Sequence, residues 1–140
     1  MDGSCVLVRP SGSAEGVTGV SYAAGVSAVT TGSRGLCLEV ATLPPGAVGR
    51  AHLHADHESA VYVLDGVFVL WFGEQLEESV VARRGDFLYI PAGVPHLPAN
   101  GSPTEQAVAV LARTDPREEE SVVPLPELDQ LPHLKGATPS

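Results

Sequence analysis

Three histidines lie close together near the middle of the chain, at His52, His54 and His57. Side chains two residues apart on a β-strand point to the same side, so His52 and His54 would share one face of a strand. Two imidazoles on one face can bind a single metal ion, at about 2.0–2.1 Å from each nitrogen. The spacing therefore predicts a metal site built on this segment.

A second segment supplies a further histidine, His96, among glycine and proline residues. Residues 85–100 follow the pattern G-x5-P-x-G-x2-H-x3-N, and residues 46–54 follow G-x5-H-x-H, with Gly66 downstream. These two motifs resemble those of the cupin superfamily. The resemblance implies a small jelly-roll β-barrel with a metal inside it, held by the motif histidines.

The first motif departs from the family pattern, because Ser59 stands where the family has a glutamate and Glu58 comes one residue early. A shift of one residue on a strand turns a side chain to the opposite face. If Ser59 points into the barrel, His57 does so as well and Glu58 points out, unless a bulge intervenes. The expected metal ligands and catalytic residues are His52, His54, His57 and His96, with Glu58 as the alternative fourth ligand.

The expected metal follows from the ligand types. Neutral imidazoles suit zinc, iron, nickel and copper alike. A site without a carboxylate ligand leaves the cation its full positive charge as a Lewis acid towards carbonyl oxygen. Iron oxygenases of this family usually keep one carboxylate, so its apparent replacement favours zinc. Iron, nickel and manganese are the alternatives.

The elements that position these residues are predicted to be strands. Short apolar runs recur between turn residues, with almost no helical periodicity, which is typical of an all-β sandwich or barrel. The resemblance specifies a cupin jelly-roll. We expect one domain over residues 1–125, with an N-terminal arm at 1–35, and a partly disordered C-terminal tail at 126–140.

Composition limits the possible partners. The 140 residues carry a formal net charge of −9, which argues against binding to nucleic acid or to an anionic membrane. No apolar run approaches the roughly 20 residues of a membrane span, and no export signal is evident, so we expect a cytoplasmic protein.

Cys5 and Cys37 are expected to be reduced and buried. Arg113 is expected at a solvated rim, and residues 115–120 in a solvated charged loop.

A closer resemblance runs from about Gly46 to Glu127 and concerns a bacterial group of single-domain cupins. The group includes cyclases of aromatic polyketide biosynthesis, such as the zinc-dependent cyclase of the resistomycin pathway. The resemblance implies an antibiotic-pathway enzyme that closes a poly-β-ketone chain by aldol cyclisation and aromatisation. The substrate would be presented by an acyl carrier protein, and the enzyme would be a homodimer, to which the segment before Leu36 could contribute by strand exchange.

Two other functions remain open from the sequence. An iron-dependent cupin dioxygenase would use the same histidines for oxygen chemistry. A non-catalytic cupin would bind a small molecule without turnover. A long apolar cavity would favour the cyclase, and a short polar cavity would favour the binding of a sugar or a similar ligand.

Overall fold

The computed structural model describes residues 3–10, 14–15, 19–117 and 121–134. These residues form eleven strands and three short helices. In chain order the elements are β1 Ala14–Glu15, β2 Ser21–Val26, α1 Ala28–Thr31, β3 Cys37–Leu43, β4 His52–His54, β5 Ser59–Asp65, β6 Val67–Phe72, β7 Glu78–Arg83, β8 Phe87–Ile90, β9 His96–Asn100, β10 Ala107–Arg113, β11 Val122–Pro124 and two 3₁₀ helices, Pro126–Gln130 and Pro132–Leu134.

The strands form two antiparallel sheets. One sheet has six strands in the order β1-β2-β3-β10-β5-β8, and the other has five in the order β11-β4-β9-β6-β7. Some neighbouring strands come from distant parts of the chain, since β10 pairs with both β3 and β5. Two such sheets packed face to face make a β-sandwich. The predicted all-β jelly-roll is therefore confirmed.

The main core lies between the two sheets. Along β3, buried side chains such as Leu43 alternate with exposed ones such as Leu38. Leu43 packs in one cluster with Val63 of β5 and Phe68 of β6, so the core joins both sheets. Burial of one such side chain stabilises the fold by about 1.5–3 kcal/mol.

A tight turn at Gly66 connects β5 to β6. Gly66 has a φ of +80°, a conformation that side-chain-bearing residues rarely adopt. A Cβ atom at this position would lie only 2.5 Å from the carbonyl oxygen of Gln106. The motif glycine is therefore required by both its backbone angle and the close approach of the chain before β10.

The predicted C-terminal tail begins at residue 126, and the structure describes its residues 126–134. These residues form the two 3₁₀ helices, and Leu128 and Leu134 are buried against Val69 and Leu97 on the outer side of the five-stranded sheet. The leucines of this proline-rich segment are spaced with neither helical nor strand periodicity, so the sequence does not predict their packing. Residues 135–140 lie outside the described residues.

The helices of the described part of the chain are short. In α1, Ser27 caps the N-terminus by accepting a hydrogen bond from the Thr30 amide, and Gly32 ends the helix at a φ of +73°. Among the described residues, none of the helices has the length and apolar character needed to cross a membrane.

Two further expectations need correction. Cys37 is buried and free, as expected, but Cys5 is exposed. Arg113 is buried rather than solvated, because it forms an ion pair with Glu39 of the neighbouring strand inside the sandwich. Burial alone would lower the pKa of Arg113, but the adjacent Glu39 carboxylate outweighs it and the pKa is raised. This arginine therefore holds two strands together and is engaged on the inner side of the sheet.

Candidate metal centre

Three histidines converge between β4 and β9. His52 and His96 lie directly opposite each other in the antiparallel pair, and His54 follows on the same face of β4. One ring nitrogen from each of the three lies within 4.8 Å of the others, and all three side chains are buried. The amide of Gly93 donates a hydrogen bond of 2.7 Å to the carbonyl of His54, which ties the second motif to the first. The structure therefore brings together His52, His54 and His96 as predicted.

Backbone carbonyls orient two of these rings. Nδ1 of His52 lies 2.7 Å from the carbonyl oxygen of Arg50, and Nδ1 of His96 lies 2.9 Å from that of Val94. Each contact places the proton on Nδ1, because a carbonyl only accepts, and leaves Nε2 with a free lone pair. The Nδ1 atom of His54 is buried without a hydrogen-bond partner among the described residues. These are the features expected of imidazoles that hold a metal ion.

The electrostatics keep the three rings neutral. Burial lowers the pKa of His52 to about 3, with a further contribution from nearby His96. Burial also lowers the pKa of His54 to about 2, helped by the neighbouring rings of His52 and His96. The pKa of His96 is lowered chiefly by burial. A neutral imidazole is the form that binds a metal, so the donor set fits a divalent transition-metal cation.

His57 lies beside this group but is not one of the three mutually close ligands. Its ring centroid is 4.4 Å from that of His54, and the side chain is buried. Its Nδ1 is 2.8 Å from the Ser121 hydroxyl and 3.5 Å from a carboxylate oxygen of Asp115, whereas its Nε2 is buried and has no hydrogen-bond partner in the described part of the chain. Nδ1 of His57 is thus held by its neighbours, and Nε2 is available to bind a metal ion. The role of His57 as a fourth ligand stays a prediction.

The strand parity expected around Ser59 is present. Ser59 is buried and faces the cavity beside the histidines, His57 is buried, and Glu58 is exposed. Glu58 instead lines a shallow outer groove with Tyr89. The backbone therefore points the side chain of Glu58, the alternative fourth ligand, away from the three histidines.

Asp115 and Ser121 escaped the sequence analysis as partners of a site residue. The sequence assigns Asp115 to a solvated charged loop, but the side chain is buried next to His57. Ser121 adopts a φ of +58° and meets the same histidine nitrogen. Their charged sequence neighbours, Arg117 and the three glutamates at 118–120, give no sign of this contact. The available signal is the short connection between β10 and β11, because the chain must return over it to pair β11 with β4.

An apolar cavity opens from the three histidines through the interior of the sandwich. The space in it that a water-sized molecule can reach is about 70 Å³, and the figure rises to about 610 Å³ only when the open solvent at the mouth is counted. Most of its wall is aliphatic or aromatic, with Val61, Phe68, Leu88, Ile90 and Leu111 among the lining side chains. The polar lining side chains are the histidines, Ser59 and Tyr22. Among the described residues no charged side chain lines this cavity, which suits an uncharged organic molecule.

The family of the chain follows from its sequence. Residues 39–112 match the family model of the Cupin domain, so the chain belongs to the cupin family. It combines the jelly-roll of that family with a three-histidine candidate metal site. Among curated proteins, none matches this sequence.

Solved structures share the fold at low sequence identity. Oxalate decarboxylase from Lactobacillus farciminis, in a formate complex, is 18% identical with a TM-score of 0.66, over 81% of this chain and 33% of that one. Bacillus subtilis oxalate decarboxylase, described with Mn(II) centres, is 20% identical with a TM-score of 0.67, over 91% and 33%. KdgF from Halomonas sp. is 20% identical with a TM-score of 0.58, over 73% and 83%. The chain thus spans about one third of the decarboxylases, and the similarity concerns the fold.

Proposed function

We propose that this cupin is a metal-dependent polyketide cyclase, which closes a poly-β-ketone chain by aldol cyclisation and aromatisation. The observation that carries the proposal is the position of three neutral histidines at an apolar cavity that no charged side chain of the described residues lines. A chain of ketones and methylenes is neutral, flexible and able to present a carbonyl oxygen to a cation. The cavity matches these properties better than it matches a small anion.

Each part of the cavity has a defined task in this proposal. His52, His54 and His96 would hold the cation, and the resemblance favours zinc. A bound divalent cation supplies Lewis acidity to a carbonyl oxygen, which acidifies the adjoining methylene. The wall of Phe68, Leu88 and neighbouring aliphatic side chains would fold the chain and exclude water from its ketones. The substrate would arrive on an acyl carrier protein, as the resemblance implies.

The charges near the cavity support a neutral substrate over a dicarboxylate. A bound divalent cation would neutralise a small dianion, but the apolar wall offers its remaining oxygens few polar partners, and burying unpaired polar atoms is costly. Arg113 is the arginine nearest in sequence to the cavity-lining Leu111, but its guanidinium is already paired with Glu39. This arrangement supports ketone chemistry and gives no support to oxalate as the substrate.

The test begins with the full chain purified without added metal and analysed for zinc, iron, nickel and manganese. A poly-β-ketone chain generated on an acyl carrier protein is then supplied, and cyclised and shunt products are measured. We expect the wild-type protein to raise the cyclised fraction, His96→Ala to abolish the gain, and His133→Ala to retain it. His133 is the matched control because it lies outside the centre and bonds to the Leu76 carbonyl.

Other outcomes would assign one of the competing functions. Oxygen uptake that depends on substrate and iron would identify a dioxygenase. Tight binding of a small molecule without any product would identify a binding protein. An unchanged ratio of cyclised to shunt products with the metal-loaded protein would overturn the cyclase proposal.

A further inference from the structure

The strand that carries His52 and His54 is paired mainly with a later part of the chain. On one edge β4 pairs with β9 at a single position, where His52 faces His96. On its other edge it pairs with β11 at three successive positions, Val122–Pro124. We call β11 together with the first 3₁₀ helix, residues 121–130, the C-terminal strap. Most of the ladder pairing of β4 therefore comes from the C-terminal strap.

The C-terminal strap also binds the residue that precedes this strand. Ala51 is 1% exposed, and both of its backbone polar groups are bonded to the strap. Its carbonyl accepts a hydrogen bond of 2.9 Å from the Leu125 amide. Its amide donates one of 2.6 Å to Oδ1 of Asp129, 78 residues further along the chain. The backbone is thus fixed from the side of the strap one residue before His52.

The contact of Asp129 combines hydrogen bonding with packing. A hydrogen bond from an amide to a carboxylate is stronger than one between neutral groups. The helix that carries Asp129 is anchored by Leu128, which is buried in one cluster with Ala51 and with Leu97 of β9. Loss of the carboxylate would leave the buried Ala51 amide unpaired, which is costly. The strap therefore docks most firmly at the point next to His52.

The other end of the C-terminal strap reaches the far end of the histidine segment. The amide of Ala55, directly after β4, donates a hydrogen bond of 2.9 Å to the Ser121 carbonyl. The Ser121 hydroxyl lies 2.8 Å from Nδ1 of His57. Residues 51–57, which include three histidines, are therefore tied to the strap at both ends.

A small outer pocket lies where the C-terminal strap meets β4. Its lining includes His52 together with Val122, Pro124 and Asp129 of the strap, and a water-sized molecule can reach about 320 Å³ of it. His52 also lines the interior cavity, so this residue stands between the two spaces. Displacement of the strap would widen the outer pocket and open the histidine centre from the side of β4.

We infer that docking of the C-terminal strap and binding of a metal ion are coupled, with Asp129 as the positioning residue. The docked strap holds β4 where His52 and His54 can share a cation with His96, and the bound cation in turn holds the strap. Such coupling is reciprocal, because each event must favour the other by the same factor. The inference needs a cation at the three histidines, but it holds for whatever reaction they serve.

The first experiment measures zinc binding by the full-length protein. Affinity is obtained by competition with a chromogenic chelator, and the dissociation rate by adding an excess of chelator to the zinc-loaded protein. Asp129→Ala should weaken zinc binding by about 10-fold, mainly through faster dissociation. Leu128→Ala loosens the same helix without a change of charge and should act in the same direction.

Two variants separate positioning from charge. Asp129→Asn should recover most of the affinity, because its side-chain oxygen can still accept from the Ala51 amide. Glu127→Ala is the matched control, since it removes an exposed carboxylate from the same helix and should leave zinc binding unchanged. Equal losses in Asp129→Asn and Asp129→Ala would mean that the charge acts at a distance, and would overturn the positioning role.

Hydrogen exchange supplies the reciprocal measurement. Zinc should slow exchange of the Leu125 and Leu128 amides of the strap in the wild type by about the same factor. In the metal-free protein, Asp129→Ala should speed exchange of the Ala51 amide and leave the amides of Val69 and Val81, which pair between β6 and β7, unchanged. A merely stabilising role of Asp129 would instead raise exchange throughout the sheet.

Circular dichroism establishes that each variant is folded. Unchanged zinc affinity and dissociation in the folded Asp129→Ala and Leu128→Ala proteins would overturn the inference, as would strap exchange that does not respond to zinc. A wild-type protein that takes up no zinc, nickel or manganese would overturn it as well. Failure of the metal-loaded protein to form cyclised product would overturn only the proposed cyclase, because the coupling is read from metal binding and exchange.

Discussion

The Nδ1 atom of His57 lies 3.5 Å from a carboxylate oxygen of Asp115, and both side chains are almost completely buried. The pKa of His57 is lowered, mainly by burial and then by the charge of Arg113. Burial raises the pKa of Asp115, but hydrogen bonds and the charge from Arg117 outweigh it and the net shift is downward. A neutral imidazole thus faces an ionised carboxylate, which favours the proton on Nδ1 and leaves Nε2 available.

The first prediction tests this orientation with Asp115→Asn. Carboxylates that orient metal-binding histidines typically raise metal affinity by roughly 10- to 100-fold. We therefore expect Asp115→Asn to weaken zinc binding by about that factor, measured by competition with a chromogenic chelator. Asp56→Asn is the matched control, since this exposed carboxylate is adjacent to His57 in sequence and undergoes the same change of charge. Equal affinities for wild type and Asp115→Asn would exclude the orienting role.

The second prediction separates the two candidates for the fourth ligand. His57→Ala should weaken zinc binding, because a buried nitrogen beside His54 is lost. Glu58→Ala should leave the affinity unchanged, because this carboxylate is exposed on the outer side of the strand. Zinc titrations of both folded variants provide the measurement. Weaker binding in Glu58→Ala alone would show that the carboxylate reaches the metal.

The parts of the centre that could be predicted are those fixed by strand geometry. Two-residue spacing places His52 and His54 on one face, and the same alternation places Ser59 inward and Glu58 outward. Both statements need only the local backbone. The family motif then supplied His96, which local reasoning alone could not have paired with His52.

The parts that could not be predicted depend on where distant segments meet. Asp115 becomes a buried partner of His57 only after β10 has returned to the sheet beside β5. Arg113 is buried because Glu39 lies on the neighbouring strand of the folded chain. A charged residue among other charged residues carries no local sign of such a partner, so its burial is decided by tertiary structure.

The third prediction concerns the stability of the metal-free protein in acid. His52 and His54 have pKa values of about 3 and 2 in the folded chain and an ordinary value of 6.5 when unfolded. Between these values the unfolded chain binds more protons, so the free energy of unfolding falls as the pH drops below about 6.5. Each histidine should contribute a slope approaching about 1.4 kcal/mol per pH unit. Above pH 7 this contribution is fully present and constant.

Urea unfolding in the presence of a chelator, at pH values from 7 to 5, measures this slope. The double variant His52→Gln with His54→Gln should show a smaller slope, because two of the groups that take up protons are gone. His133→Gln should keep the wild-type slope, since His133 is exposed. Identical slopes in wild type and double variant would mean that these rings do not resist protonation in the fold.

The fourth prediction concerns Asn100, the last residue of the second motif. Its amide nitrogen lies within hydrogen-bond distance of three backbone carbonyl oxygens, those of Leu43 and Glu105 at 3.1 and 2.8 Å among them, and its side-chain oxygen accepts from the Ser102 amide at 2.8 Å. Asn100→Ala would leave buried carbonyls unpaired, so we expect a loss of about 2–4 kcal/mol in the free energy of unfolding.

Thr104→Ala is the control: it lies in the exposed part of the same loop and should lower the free energy of unfolding much less. Zinc affinity should persist in the folded Asn100→Ala protein, because the hydrogen bonds of this side chain go to backbone groups of the neighbouring loops and not to the three histidines. Urea unfolding together with zinc titration distinguishes the two roles: lost zinc affinity at unchanged stability would make Asn100 a residue of the metal centre instead.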